Sequence, residues 1–259
     1  MTSLLRLAII VALAAPFAGA QGNYEIQVYP SETAQKGMTF FELHSNYTLA
    51  GSRTLMDGIY PTNDALHETL EITRGFSDIF EVGFYFFTAD QTGRGWQYVG
   101  SHIRPRVRIP EDWHWPVGVS LSSEIGYVKK GYDPNQWSVE LRPIIDQHLG
   151  IFYWSINPAV DWSLQGADAG TGLKGVIFNP NVKVSWDLNK YVTAGFEYYG
   201  STGPVTGLAP IGEQQHVLYP ALDFNVSPEW ELNVGYGFPL AGGGDHSIVK
   251  VIVGRRFPF

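Results

Sequence analysis

The residues best suited to chemistry in this 259-residue chain stand two apart. His102, Arg104, Arg106 and Arg108 alternate with Ile103, Pro105, Val107 and Ile109. On an extended strand a spacing of two puts one set on one face and the other set on the opposite face. Rings of like charge set ion selectivity in pores, so a basic ladder of this kind suits a path for anions. Arg142, Lys183, Lys250 and Arg256 hold the same parity in other alternating stretches. So do Glu42, Glu81, Glu124, Glu140, Asp161, Glu197, Asp223 and Glu231. Two roles therefore stay open for the basic set. It lines a solute path, or it neutralises the acids on its own face, because charges taken out of water must be paired.

Catalysis fits the sequence less well. His44-Ser45 and Ser101-His102 pair a base with a nucleophile, but neighbours on a strand point to opposite faces and cannot share a proton. Ser120 and Ser122 share a face with Glu124, yet the sequence sets no histidine beside them. His67, His114, His148, His216 and His246 fall at strand ends or in loops, and no spacing suggests a metal site. The glycine run Gly242-Gly-Gly244 lies between two strands with no helix to follow, so it is no phosphate cradle. No catalytic residue, metal ligand or cofactor is expected, and an outer-membrane lipid hydrolase is the weakest of the functional readings.

The elements that must position the ladder are strands. Thr39-Phe-Phe-Glu-Leu-His-Ser-Asn-Tyr47 sets Phe41, Leu43 and Tyr47 against Glu42, His44 and Asn46. The same alternation returns about twelve times through the chain. It includes Phe80, Val82, Phe84 and Phe86 against Glu81, Gly83 and Tyr85, and Val99, Ile103 and Val107 against the basic ladder. Short turns are expected at 73–76, 110–113, 146–149, 187–190 and 227–229, and longer loops at 51–66, 166–174 and 200–215. A motif with proline, at Pro105, Pro143, Pro180 and Pro220, recurs once per hairpin. Proline removes a ladder hydrogen bond, and bulges are the expected accommodation. Aromatic residues gather at two levels, Tyr47, Phe86, Tyr127, Trp162, Tyr198 and Tyr236 at one end and Trp186, Phe224, Trp230 and Phe257 at the other, as two water interfaces require.

Composition agrees. Charged residues are 16% and aromatics 14%, with 29 glycines, no cysteine and a net charge of −8. The acidic balance excludes nucleic acid as a natural partner, and the missing thiols exclude disulfides and cysteine metal sites. Arg6, the apolar run Leu7 to Phe17, and Ala18-Gly-Ala20 make residues 1–20 a cleaved secretory signal peptide. Residues 21–38 read as a periplasmic lead-in or a plug segment, and 39–259 as one domain.

The chain ends on Val249, Val251, Val253, Arg255, Phe257 and Phe259, a strand with an aromatic carboxy terminus. This ending, with the alternation before it, resembles the closing strand of bacterial outer-membrane β-barrels. Over 39–259 the pattern is similar to that of uncharacterised transporter barrels, including those encoded with phenol-degradation pathways. The resemblance implies an all-β fold, a single transmembrane antiparallel barrel of about 12 strands, with both chain ends in the periplasm. It implies Phe257 and Phe259 as a signal to the barrel-assembly machinery, outer-membrane lipid around the wall, and passage of a small-molecule solute. His102, Arg104, Arg106, Arg108, Glu124, Glu140, Arg142 and Lys183 are the candidate lumen or selectivity residues. The function expected is a narrow passive channel in the bacterial outer membrane. The alternative is a closed barrel that works through its outside loops as a binding or structural protein.

Overall fold

The computed structural model describes residues 22–242, 244–245 and 247–258. Residues 1–20, the expected signal peptide, lie outside the described residues, as do His246 and the terminal Phe259. Twelve strands follow one another: β1 Met38–Ala50, β2 Ala65–Ser77, β3 Phe80–Gln91, β4 Gly95–Arg108, β5 Gly118–Val128 and β6 Asn135–Leu149. The second half comprises β7 Phe152–Gly166, β8 Val176–Asn189, β9 Val192–Ser201, β10 Gln215–Phe224, β11 Trp230–Gly242 and β12 Ser247–Pro258. Each pairs antiparallel with the next, and β12 closes on β1 to complete a barrel. The closing register runs from Met38 opposite Pro258 to Ala50 opposite Ser247. Closure leaves no edge strand, which is what lets a sheet cross a lipid phase with every backbone group paired.

The period of two decides what faces where. Phe41, Leu43, Leu70, Phe84, Phe86, Ile125, Ile156, Phe196 and Val253 lie on the exposed outer wall. Glu42, His44, Asn46, Glu71, Glu81, Arg104, Arg106, Arg142, Glu197 and Lys250 are buried in the lumen. This inversion of a soluble protein, apolar out and polar in, is the arrangement of a lipid-embedded barrel. Tyr47 and Tyr236 both stand opposite Val249, so aromatics of the two strands that flank β12 share one level.

Four local readings are corrected by the structure. Val99 does not face outward: the β3–β4 register shifts between Phe87 and Thr88, and this turns Val99 into the lumen, fully buried, while Tyr98 is exposed. The prolines do not produce bulges. Val82 still stands opposite Pro105, Leu121 opposite Pro143, Pro158 opposite Pro180 and Phe196 opposite Pro220. The rungs to the other neighbour are missing at Pro105, Pro143 and Pro220 without any change of register. Proline simply lacks the donor for those rungs.

Three of the short turns sit later than expected. β2 continues to Ser77, β6 to Leu149 and β8 to Asn189, so 73–76 and 146–149 are strand throughout and 187–190 mostly so. Nor do short turns and long loops alternate strictly from strand to strand, as a barrel with short periplasmic turns and longer outside loops would have them. Long loops span 51–64, 167–175 and 202–214, but β3 and β4 are joined by residues 92–94 alone, and the β4–β5 turn takes residues 109–117, with one 3-10 turn at Glu111–Trp113.

Residues 22–37 lie inside the barrel. Asn23 meets Asp245 and Thr48 at the loop end, and the backbone of Ala34 and Gln35 passes Gly75 at the turn end. A Cβ on Gly75 would lie 2.1 Å from the Gln35 carbonyl oxygen, so only glycine lets the segment leave the lumen there. The first described residues thus sit at the loop end, not at the turn end with β12.

Candidate functional site in the lumen

An extended segment with no strand beside it leaves its N–H and C=O groups unmet, and buried backbone groups must be met. In this lumen wall side chains do so. Asn46 donates to the Asn23 carbonyl at 2.8 Å and Thr69 to that of Tyr24 at 2.6 Å. Lys250 Nζ donates to the Ile26 carbonyl at 3.1 Å. The Tyr29 amide donates to Asn157 Oδ1 at 2.8 Å, and Ser155 donates to the Tyr29 carbonyl at 2.8 Å. Ser31 donates from its amide and its hydroxyl to Asp146, at 2.9 and 2.6 Å, and the Ala34 amide donates to Glu81 at 2.5 Å. These supports come from β1, β2, β3, β6, β7 and β12.

Tyr29 is the centre of the arrangement. Its hydroxyl donates to Glu25 at 2.9 Å and lies 3.2 Å from that of Tyr85. Three guanidinium carbons surround its ring, Arg104 at 4.7 Å, Arg142 at 5.1 Å and Arg106 at 5.6 Å from the centroid. Nε and Nη1 of Arg104, Nε of Arg106 and Nη1 of Arg142 have no hydrogen-bond partner among the described residues. The π-face of Tyr29 is therefore the acceptor that these three cations share. On the other side of the segment, Ile26 and Val28 pack against Tyr199, Val217, Tyr219 and Ile248 of β9, β10 and β12.

The basic side chains singled out in the sequence all face acids. Arg104 pairs with Glu71 at 2.5 Å and Glu81 at 3.5 Å, and Arg106 with Glu81 at 2.6 Å. Arg142 grips Glu140 with two donors, at 2.5 and 2.8 Å. His102 meets Glu124, and Lys183 bridges Asp223 at 2.8 Å and Glu197 at 3.3 Å. Lys250 also meets Glu197, and Arg256 meets Glu231 at 3.4 Å. Arg108 stands apart from the others, pairing at 3.0 Å with the exposed Glu111 of the β4–β5 turn. The structure thus brings His102, Arg104, Arg106, Arg142, Glu124 and Glu140 around Glu25 and Tyr29, and places Lys183 in a separate group with Glu197 and Asp223.

Sequence reasoning missed Glu71, Asp146 and Tyr29. Glu71 lies between Leu70 and Ile72, so the period of two held its signal. Asp146 was hidden by reading its stretch as a turn. Tyr29 lies in the stretch expected to be a lead-in or plug, but its partners had no signal, because contacts across a lumen leave no trace in the period of either partner. For catalysis, the register keeps His44 and Ser45 apart: His44 is buried in the lumen, whereas Ser45 donates to Glu68 at 2.9 Å. Phe257 packs edge-on against Phe41 at 5.7 Å, on the seam between β12 and β1.

No protein-family profile matches the sequence, and no curated protein sequence matches it. Solved structures do match. An outer membrane channel from Pseudomonas putida F1 superposes with a TM-score of 0.61 at 12% identity, over 90% of this chain and 100% of that one. The NanC porin gives 0.57 at 11% identity, over 85% of this chain and 100% of that one. The KdgM porin gives 0.56 at 10% identity, over 84% and 99%. The fold is that of an outer-membrane β-barrel.

Proposed function

We propose that this chain resides in the bacterial outer membrane as a narrow passive channel for small solutes, constricted by its own segment 22–37. The observation that carries the reading is how that segment is held. It is bound by individual hydrogen bonds to polar wall residues and by two small apolar contacts, Ile26 and Val28 against Tyr199 and Tyr219 and Tyr24 against Phe87, rather than fused into a continuous apolar core. Transmembrane barrels have polar interiors whether they are water-filled or plugged, so a conductance measurement separates the two. The likeness to channels and porins supports the same reading, at the level of the fold.

The arginine ladder takes the structural role in this reading. Its charges are matched by Glu71, Glu81 and Glu140 and by the Tyr29 ring, so the ladder does not present a free basic ring to a passing anion. A planar-bilayer recording tests the proposal. The intact mature protein is expected to give small, discrete openings. Tyr29→Ala, which removes the ring from the narrowest crowd, is expected to raise single-channel conductance severalfold. Silence from both proteins, each folded and heat-modifiable, would instead favour a closed barrel that works through its loops.

A further inference from the structure

We infer that Glu42, His44 and Glu71 form a divalent-cation site in the lumen wall, suited to zinc. Glu42 and His44 are two apart on β1 and so share its inner face. Glu71 is the residue directly opposite Glu42 on β2. Their side chains each offer one ligand atom, and the three atoms lie within 4.8 Å of one another. All three residues are buried, His44 and Glu71 completely.

What points to a ligand is the state of His44 and Glu71. Among the described residues neither ring nitrogen of His44 has a hydrogen-bond partner, and neither has Oε2 of Glu71. A buried imidazole always carries at least one N–H, and leaving it unmet is costly. His44 Nε2 and Glu71 Oε2 nevertheless approach to 3.4 Å. That is long and poorly aligned for a hydrogen bond. It matches the edge of a zinc tetrahedron, since two bonds of the usual length at the tetrahedral angle hold their ligand atoms about 3.3 Å apart.

The surroundings complete the case. Glu71 uses its other oxygen, Oε1, for Arg104 at 2.5 Å and the Thr73 hydroxyl at 2.7 Å, which fixes the carboxylate with Oε2 turned to His44. Such outer partners orient metal ligands. Among the described residues Glu42 makes no ion pair and has one donor, the Gln27 amide at 3.5 Å, with the charges of Arg104 and Arg256 acting on it from further off. A buried carboxylate left unpaired is unfavourable, and a divalent ion satisfies Glu42, His44 and Glu71 together. One imidazole and two carboxylates are a donor set that zinc accepts, with a position left for water. The rival occupant is a proton, held by His44 between the two carboxylates. The site is independent of whether the lumen conducts.

The test uses the full mature barrel, chelator-stripped, with zinc supplied both after folding and during refolding, because the site is enclosed. Zinc content after dialysis is expected to be one equivalent, and cobalt in its place is expected to give the visible absorption of a tetrahedral ion. Glu42→Gln and His44→Gln, each confirmed as heat-modifiable, are expected to weaken binding by about tenfold or more. His102→Gln, in the neighbouring cluster with Glu25 and Glu124, is expected to keep it. Absence of stoichiometric zinc, binding that survives both Glu42→Gln and His44→Gln, or binding lost only in His102→Gln would each overturn the assignment.

Discussion

The two sides of segment 22–37 meet the lumen by different means. Ile26 and Val28 lie against Tyr199, Val217, Tyr219 and Ile248, a contact of shape between apolar groups. Glu25, Tyr29 and Ser31 face Glu124, Tyr85, Arg104, Arg142 and Asp146, a contact of charge and direction. Apolar packing is non-directional and yields in small steps when atoms are removed. A buried ionic network does not yield in small steps, because losing one member strands the others without water. The difference teaches which side locks the segment in place. The apolar side positions it, and the ionic side holds it.

The largest break expected follows from that asymmetry. Arg104→Met removes the partner shared by Glu71 and Glu81, and takes one cation from the Tyr29 ring. Uncovering buried charge in this way is expected to destabilise the barrel by about 3–5 kcal/mol. The midpoint of the heat-induced gel shift should fall sharply, and Tyr29 should become more accessible to modification. An unchanged midpoint would mean that water or a second cation already serves Glu71.

Ile26→Val makes the matching change on the apolar side. It removes one methylene from the contact with Tyr199 and Tyr219 and leaves every polar partner in place. The expected cost is about 0.5–1.5 kcal/mol, well below that of Arg104→Met by the same measurement. If the two substitutions cost the same, the division of labour across the segment is wrong.

How much of this was legible in the sequence depends on whether a contact runs along a strand or across the lumen. Parity is a property of one strand, so Glu42, His44 and Asn46 were placed inward from their own neighbours alone. Parity fails where a bulge intervenes, and Val99 is the example, because the slip lies in the pairing of Phe87 and Thr88 with β4. It also fails where a strand is cut short, and Asp146, taken for a turn residue, anchors Ser31. Which acid meets which arginine needed the structure: Arg106 stands opposite Glu81 across β3 and β4, whereas Arg142 pairs with Glu140 two residues back on its own strand. The candidate cation site combines the two cases. Glu42 and His44 were visible as a pair on one strand, but their meeting with Glu71 needed the β1–β2 register.

The smallest expected effect lies at the loop end of the ionic side, at Asp133 in the β5–β6 loop 129–134. Burial raises its pKa from the ordinary value of 3.8 to about 6, with Asp168 adding to the shift, while the Asn135 amide, donating to Oδ1 at 2.6 Å, and His102 oppose it. Tyr24 and Tyr132 are its other titratable neighbours. A raised acid pKa means that the folded state holds the proton more tightly than the unfolded one. The stabilisation is therefore complete below about pH 4 and is lost as pH rises through about 6. Wild type should melt slightly higher at pH 5 than at pH 7.5 through this group. Other carboxylates titrate in the same range, so the informative quantity is the difference from Asp133→Asn. The amide keeps an oxygen to accept from Asn135 but carries no charge to desolvate, so the variant should gain stability at pH 7.5 and gain little at pH 5. The gain is expected to be modest, since a surface loop can open locally without disturbing the barrel. An equal change at both pH values would show that Asp133 acts through its hydrogen bond and not through its charge. The ionic side would then end below this loop, at His102 and Glu124.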